Sequence, residues 1–93
     1  MASSNTIVKT KMASRYLQQL CKHFAHKIKV EFNEEKGCIQ FDFGKTDLIA
    51  RPEELSITVK SENDENLARL RRVVGSHLER FAFREKLVME WSN

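Results

Sequence analysis

The sequence has few of the residues that interrupt regular structure, with three glycines and one proline among its 93 residues. No segment is rich in proline, glycine or serine, so the chain has no flexible linker between two domains. It also has no internal repeat and no low-complexity segment. A chain of this length has room for one hydrophobic core. We therefore predict a single domain over residues 1–93, with disorder confined to residues 1–4.

Long hydrophobic runs are absent as well. No segment reaches the roughly 20 apolar residues that a membrane-spanning helix requires. The opening segment MASSNTIVKTK has no apolar stretch of signal-peptide length. Without an export signal, Cys21 and Cys38 are expected to be unpaired, reduced thiols that behave as small apolar side chains. We therefore expect a cytoplasmic protein with no membrane partner.

Charge of one sign does not dominate, because 16 basic residues face 13 acidic ones and the net charge is +3. The densest basic segment lies in the last third of the chain, where Glu79 and Glu85 dilute it. Its arginines are Arg69, Arg71, Arg72, Arg80 and Arg84. On a helix they point in several directions, whereas a nucleic-acid-binding face usually carries a dense basic stripe. The pattern is typical of a solvated helix face and argues against a nucleic-acid partner.

The sequence also lacks a phosphate-binding loop and a cysteine nucleophile with a neighbouring base. No glycine-rich loop precedes a helical segment, so the sequence offers no phosphate-binding loop. Cys21 and His23 are two positions apart on a predicted helix and cannot form a nucleophile–base pair, and Cys38 has no adjacent base.

Hydrophobic periodicity indicates the elements of the fold. The β-branched segment 5–10 favours a strand, and apolar residues spaced by three and four favour a helix over residues 12–26. Four short strands with alternating apolar residues follow between residues 28 and 59. A second helix begins near residue 63, capped by Asn63 or Asp64, and alternation over residues 87–91 indicates a closing strand.

The strands of this β-α-β-β-β-β-α-β order share one apolar face. The residues on it are Ile28, Val30, Phe32, Ile39, Phe41, Phe43, Leu55, Ile57 and Val59. Two amphipathic helices can bury their apolar stripes only against such a face. We therefore predict an α+β fold, a two-layer sandwich in which both helices cover one face of an antiparallel sheet.

The segment LCKHFAHKIKV (20–30) contains two of the three histidines. His23 and His26 are neighbours on a helix surface, and His77 approaches His23 if the two helices pack side by side. Three neutral imidazoles would suit a divalent transition metal such as zinc, copper, nickel or iron. However, HxxH is a common pattern without the general base of HExxH, and histidines bonded to backbone carbonyls explain it equally well.

Helical angles favour a pair over a three-histidine site. At 100° per residue, His23 lies roughly 100° from the centre of its apolar stripe, His26 roughly 160° and His77 about 60°. We expect His77 to be the most buried histidine, His23 to lie close to it, and His26 to point toward solvent. The close pair is expected to be hydrogen-bonded.

Three segments considered together, RYLQQLCKHFAHK (15–27), VVGSHLERFAFRE (73–85) and LVMEW (87–91), are more specific than any single motif. They resemble a family of small bacterial proteins classified as domain of unknown function 2218, over nearly the whole chain. The resemblance implies a bacterial cytoplasmic protein. Members are similar to domains found beside siderophore-interacting reductases, which implies a role in iron utilisation. Some relatives carry the name of a dihydroxyheptenedioate-type aldolase, although such aldolases are barrels of more than twice this length.

Three functional interpretations follow. In the first, the protein is an accessory binding protein for a metal, a metal chelate or a partner reductase. Its metal ligands would be His23, His26 and His77, while Arg80 and Arg84 would contact a carboxylate or catecholate oxygen. In the second, the same histidines hold the metal of a small enzyme, and Glu79 or Tyr16 transfers a proton. In the third, the histidines are structural residues of a protein–protein interaction module.

Overall fold

The computed structural model describes residues 2–82, 87 and 89–92. In this part of the chain five strands and two helices follow one another as β1 (Ala2–Lys9), α1 (Ala13–Ala25), β2 (Lys29–Phe32), β3 (Lys36–Phe41), β4 (Gly44–Arg51), β5 (Glu54–Ser61) and α2 (Asp64–Phe81). The strands form one sheet in the order β1-β5-β4-β3-β2, and every neighbouring pair is antiparallel. The predicted α+β fold is confirmed.

Both helices cover the same face of this sheet. Alternate residues of β5 (Leu55, Ile57 and Val59) are fully buried, and they belong to one core with the buried residues of α1 and α2. Each helix packs against β4 and β5, and the two helices also contact each other. The sheet therefore has one covered face and one open face, as the alternation of apolar and polar residues predicts.

The chain ends differ from the sequence-based expectation. Residues 2–4, expected to be disordered, belong to β1 and pair with residues 59–61 of β5. Instead of a closing strand, described residues 87 and 89–92 provide one antiparallel bridge between Ser92 and Asn5, with backbone hydrogen bonds of 3.2 and 2.8 Å. The bridge lies on the outer edge of β1, while the side chains of Leu87, Met89 and Trp91 pack against the core.

Local hydrogen bonds mark the start of α2 and the end of α1. The side chain of Asn63 accepts a hydrogen bond of 2.8 Å from the backbone N–H of Asn66, which confirms it as the N-cap of α2. At the end of α1, the carbonyl of Phe24 accepts hydrogen bonds from the N–H groups of Lys27 and Ile28, and the chain turns directly into β2. The last residues of α1 lie beside the C-terminal half of α2.

No helix in the described part of the chain is long and apolar enough to span a membrane.

Candidate histidine site

His23 of α1 and His77 of α2 lie against each other, with ring centroids 4.9 Å apart and ring planes inclined at 47°. His77 is half-buried, whereas His23 and His26 are exposed. The predicted proximity of His23 and His77, and the greater burial of His77, are therefore confirmed. The contact between the rings replaces the hydrogen bond that we expected between them.

His77 is oriented by its own helix. Its Nδ1 atom lies 2.7 Å from the carbonyl oxygen of Val73, one turn earlier on α2. A carbonyl oxygen can only accept a hydrogen bond, so Nδ1 must carry the proton and Nε2 must hold a free lone pair in the neutral ring. No described residue bonds Nε2. An imidazole held through Nδ1–H in this way is the usual arrangement of a histidine that binds a metal through Nε2.

His23 contacts aromatic rings on two sides, Phe24 at 5.1 Å and Phe81 at 5.8 Å between centroids. Although the residue as a whole is exposed, burial of its ring is the largest cause that lowers its pKa below the usual value of 6.5. Electrostatic interactions with His77, Lys27, Arg80 and His26 lower the pKa further, in that order. A lowered pKa favours the neutral imidazole, which is the state that a metal ligand requires.

His26 does not join this pair. It follows the last residue of α1 as the C-cap, and it makes none of the ring contacts found among the described residues. In residues 2–82, 87 and 89–92, no three His, Cys, Asp or Glu side chains are grouped as a bound metal ion requires. The described residues thus do not form the three-histidine metal centre.

Two arginines, Arg80 and Arg84, were expected to contact a ligand, and the described residues include only Arg80. Arg80 lies three residues after His77 on α2, is exposed, and is close enough for its charge to lower the pKa of His23. It therefore borders the histidine pair. Arg84 lies outside the described residues.

A row of aromatic rings, which sequence periodicity does not predict, continues from the pair to the sheet. Phe24 contacts His77 at 5.0 Å and Phe41 at 5.0 Å, and Phe41 contacts Phe43 at 5.3 Å. The guanidinium of Arg69 lies 4.0 Å above the ring of Phe43. This row gives the histidine pair one apolar wall and separates it from a cavity of about 560 Å³ beside Phe41 and Phe43.

The side chains considered for proton transfer are placed differently. Tyr16 is only 6% exposed and belongs to the hydrophobic core, whereas Glu79 is exposed on α2. The cavity beside Phe41 and Phe43 is lined by neither of them and by none of the three histidines.

A family model described as an uncharacterised protein conserved in bacteria, DUF2218, matches residues 5–92. The chain belongs to this family. The match includes both partners of the Asn5–Ser92 bridge and all three histidines. This DUF2218 chain is also similar to a solved structure, the NMR structure of PA4090 from Pseudomonas aeruginosa. The TM-score is 0.85 at 37% identity, over 99% of this chain and 96% of that chain. No curated protein matches the sequence.

Proposed function

We propose that this DUF2218 protein is a cytoplasmic accessory protein of bacteria that binds a chelated divalent transition metal through His23 and His77. The observation that carries the proposal is the contact of these two imidazoles at 4.9 Å, in which His77 is oriented by Val73 with Nε2 free. Two neutral imidazoles suit zinc, copper, nickel or ferrous iron.

The number of protein ligands favours a chelate over a bare ion. Two imidazoles leave at least two positions of a tetrahedral ion open, and more positions of an octahedral one. The described residues supply no third ligand, so the remaining positions are open to an external chelator. In such a complex the protein recognises the metal and its chelator together.

The charges of the residues around His23 also favour a chelate over a bare metal ion. Every neighbour that shifts the pKa of His23 by its charge is basic: His77, Lys27, Arg80 and His26. Of these, Lys27 and Arg80 are positively charged at neutral pH, which disfavours a free divalent cation and favours a complex with net negative charge. The guanidinium of Arg80 can donate two parallel hydrogen bonds to a carboxylate or catecholate oxygen pair of the chelator.

The family resemblance supports a place for this binding in iron utilisation, with a reductase as the partner that acts on the chelate. A metal-dependent enzyme has less support, because Tyr16 is buried in the core and Glu79 is exposed to solvent. The binding interpretation requires no further catalytic group.

Calorimetric titration with two nickel chelates tests the proposal. Nickel nitrilotriacetate leaves two coordination positions open, whereas nickel ethylenediaminetetraacetate leaves none and has the greater negative charge. We expect the first complex to bind and the second to fail. His23→Ala and His77→Ala should each weaken binding by about tenfold or more, while the matched control His26→Ala should bind like the wild type.

Three results would contradict the proposal. Binding of both complexes with equal affinity would show that charge alone is recognised. Binding that survives the loss of His77 would place the ligand elsewhere. Loss of binding in His26→Ala would assign it to the His23–His26 pair on α1.

A further inference from the structure

The sheet has one edge that the described residues leave unpaired. β1 and β2 are the two edge strands, and the outer edge of β1 takes the bridge with Ser92. The outer edge of β2 pairs with no described residue. An unpaired edge presents a row of N–H and C=O groups that another strand can use.

The register of β2 against β3 identifies which backbone groups face outward. The N–H of Asn33 donates a hydrogen bond of 2.8 Å to the carbonyl of Lys36, so these residues form a hydrogen-bonded pair. In an antiparallel ladder such pairs alternate with non-hydrogen-bonded ones. Glu31 and Lys29, opposite Cys38 and Gln40, therefore bond toward β3. The N–H and C=O groups of Val30 and Phe32 point to the open edge.

Ile28, the residue before β2, adds one backbone acceptor to this open edge. The N–H of Ile28 already donates to the carbonyl of Phe24 at 3.0 Å, so only its carbonyl is available at the edge. If a second β2 runs antiparallel with the two Val30 residues opposite each other, each Val30 N–H meets the other Val30 carbonyl. Each Phe32 N–H then meets an Ile28 carbonyl, and every N–H at the edge has an acceptor.

The side chains of this short strand are complementary to themselves in the same register. With Val30 at the centre, Lys29 of one copy stands opposite Glu31 of the other on the open face of the sheet. On the helix face, Ile28 stands opposite Phe32, which is 37% exposed in the single chain. Opposite charges and apolar pairs directly across two strands are the stabilising combinations. A parallel arrangement would instead place Lys29 against Lys29.

We propose that two copies of this chain associate through their β2 edges, antiparallel and centred on Val30, to form one continuous ten-stranded sheet from two five-stranded ones. Proteins that protect an edge strand from pairing often place lysine there. Here the charges alternate in sign, and they match only in the antiparallel, Val30-centred register. The surface includes neither His23 nor His77, so association does not depend on metal binding.

Sedimentation equilibrium from about 10 μM to about 1 mM protein tests the association. We expect a reversible dimer of the wild type. Lys29→Glu and Glu31→Lys each place like charges opposite one another twice in the dimer, and each should raise its dissociation constant about tenfold or more. The double variant Lys29→Glu/Glu31→Lys restores both pairs and should dimerise like the wild type. Lys60→Glu, on the open face of the inner strand β5, is the control for the change in net charge that Lys29→Glu makes.

Amide hydrogen exchange locates the interface in the same samples. The N–H groups of Val30 and Phe32 should become protected as the concentration rises, whereas that of Glu31 should be protected throughout. A wild type that remains monomeric at about 1 mM would overturn the proposal. So would a dimer that both single variants leave intact, or one that the double variant does not restore.

Discussion

The Sγ atom of Cys21 on α1 lies directly over the backbone of Gly37 on β3, where an added Cβ atom would stand only 2.7 Å from the sulfur. The same Cβ would lie 3.3 Å from Cδ2 of Leu17. Both neighbours are fully buried, so neither can move without disturbing the packing of the core. Glycine at position 37 thus permits the close approach of α1 to β3, two residues before His23 on the same helix.

Gly37→Ala should therefore lower the free energy of unfolding by about 1–3 kcal/mol, as over-packing of a dense core usually does. The shift of the urea midpoint measures this loss. Gly75→Ala is the matched control, because its added Cβ would lie at an ordinary 3.7 Å from Met89. Since alanine favours a helix interior over glycine, that variant should be stabilised by up to about 1 kcal/mol.

A double variant tests whether the contact with Cys21 causes the loss of stability in Gly37→Ala. Cys21→Ala removes the sulfur that meets the new Cβ, so Gly37→Ala should cost clearly less in a Cys21→Ala background than in the wild type. Strictly additive losses would show that the contact between positions 21 and 37 is not the origin of the effect.

The two cysteines are unpaired and should differ in reactivity. Burial, followed by the effect of Cys38, raises the pKa of Cys21 to about 12. The pKa of the half-buried Cys38 is also raised, first by burial and then by Asp47. In the folded protein, iodoacetamide should modify Cys38 slowly and Cys21 hardly at all. Mass spectrometry of the labelled peptides checks the order. Two thiols should react in denaturant, and faster labelling of Cys21 in the folded protein would contradict its burial.

The lowered pKa of His23 predicts a loss of stability on acidification. The cause is first the burial of its ring and then the charges of His77, Lys27, Arg80 and His26. In the unfolded chain an imidazole titrates near pH 6.5, so below that pH the unfolded state binds more protons than the folded state. The contribution is complete above about pH 6.5 and is lost as the pH falls toward the folded pKa.

His23→Gln should remove this part of the pH dependence. Urea midpoints measured between about pH 7.5 and about pH 5 should fall less in the variant than in the wild type. His26→Gln keeps His23 and its ring contacts and serves as the control. Equal slopes in the wild type and His23→Gln would show that the ring of His23 is as well solvated in the folded state as in the unfolded one.

Much of the fold follows from sequence periodicity, because a sheet with one apolar face and two amphipathic helices can bury those surfaces in few ways. The alternation of Leu55, Ile57 and Val59 predicted their burial correctly. Phe32 and Phe41 share this alternation, yet Phe32 is 37% exposed and Phe41 is half-buried. Alternation assigns a residue to a face of the sheet, but it does not indicate how far the helices extend over that face.

The candidate site was predictable only in part. Angles around each helix place His23 near His77 and His26 away from both. These angles can be worked out from the sequence because each depends on one helix alone. The bond from His77 to Val73 and the row formed by Phe24 and Phe41 depend on side-chain rotamers and on the depth of packing. Periodicity does not contain that information. The absence of a third ligand among the described residues likewise follows from the relative position of two helices.

The nitrogen spectrum of the imidazoles during a zinc titration tests the central claim most directly. Long-range proton–nitrogen correlations distinguish Nδ1–H from Nε2–H in each neutral ring. In the absence of metal, His77 should show the Nδ1–H tautomer that its bond to Val73 requires. On addition of zinc with nitrilotriacetate, Nε2 of His77 and one ring nitrogen of His23 should shift together, while His26 remains unchanged. Two results would contradict the account. One is a His77 ring in the Nε2–H form without metal, and the other is a titration that shifts His26 and not His77.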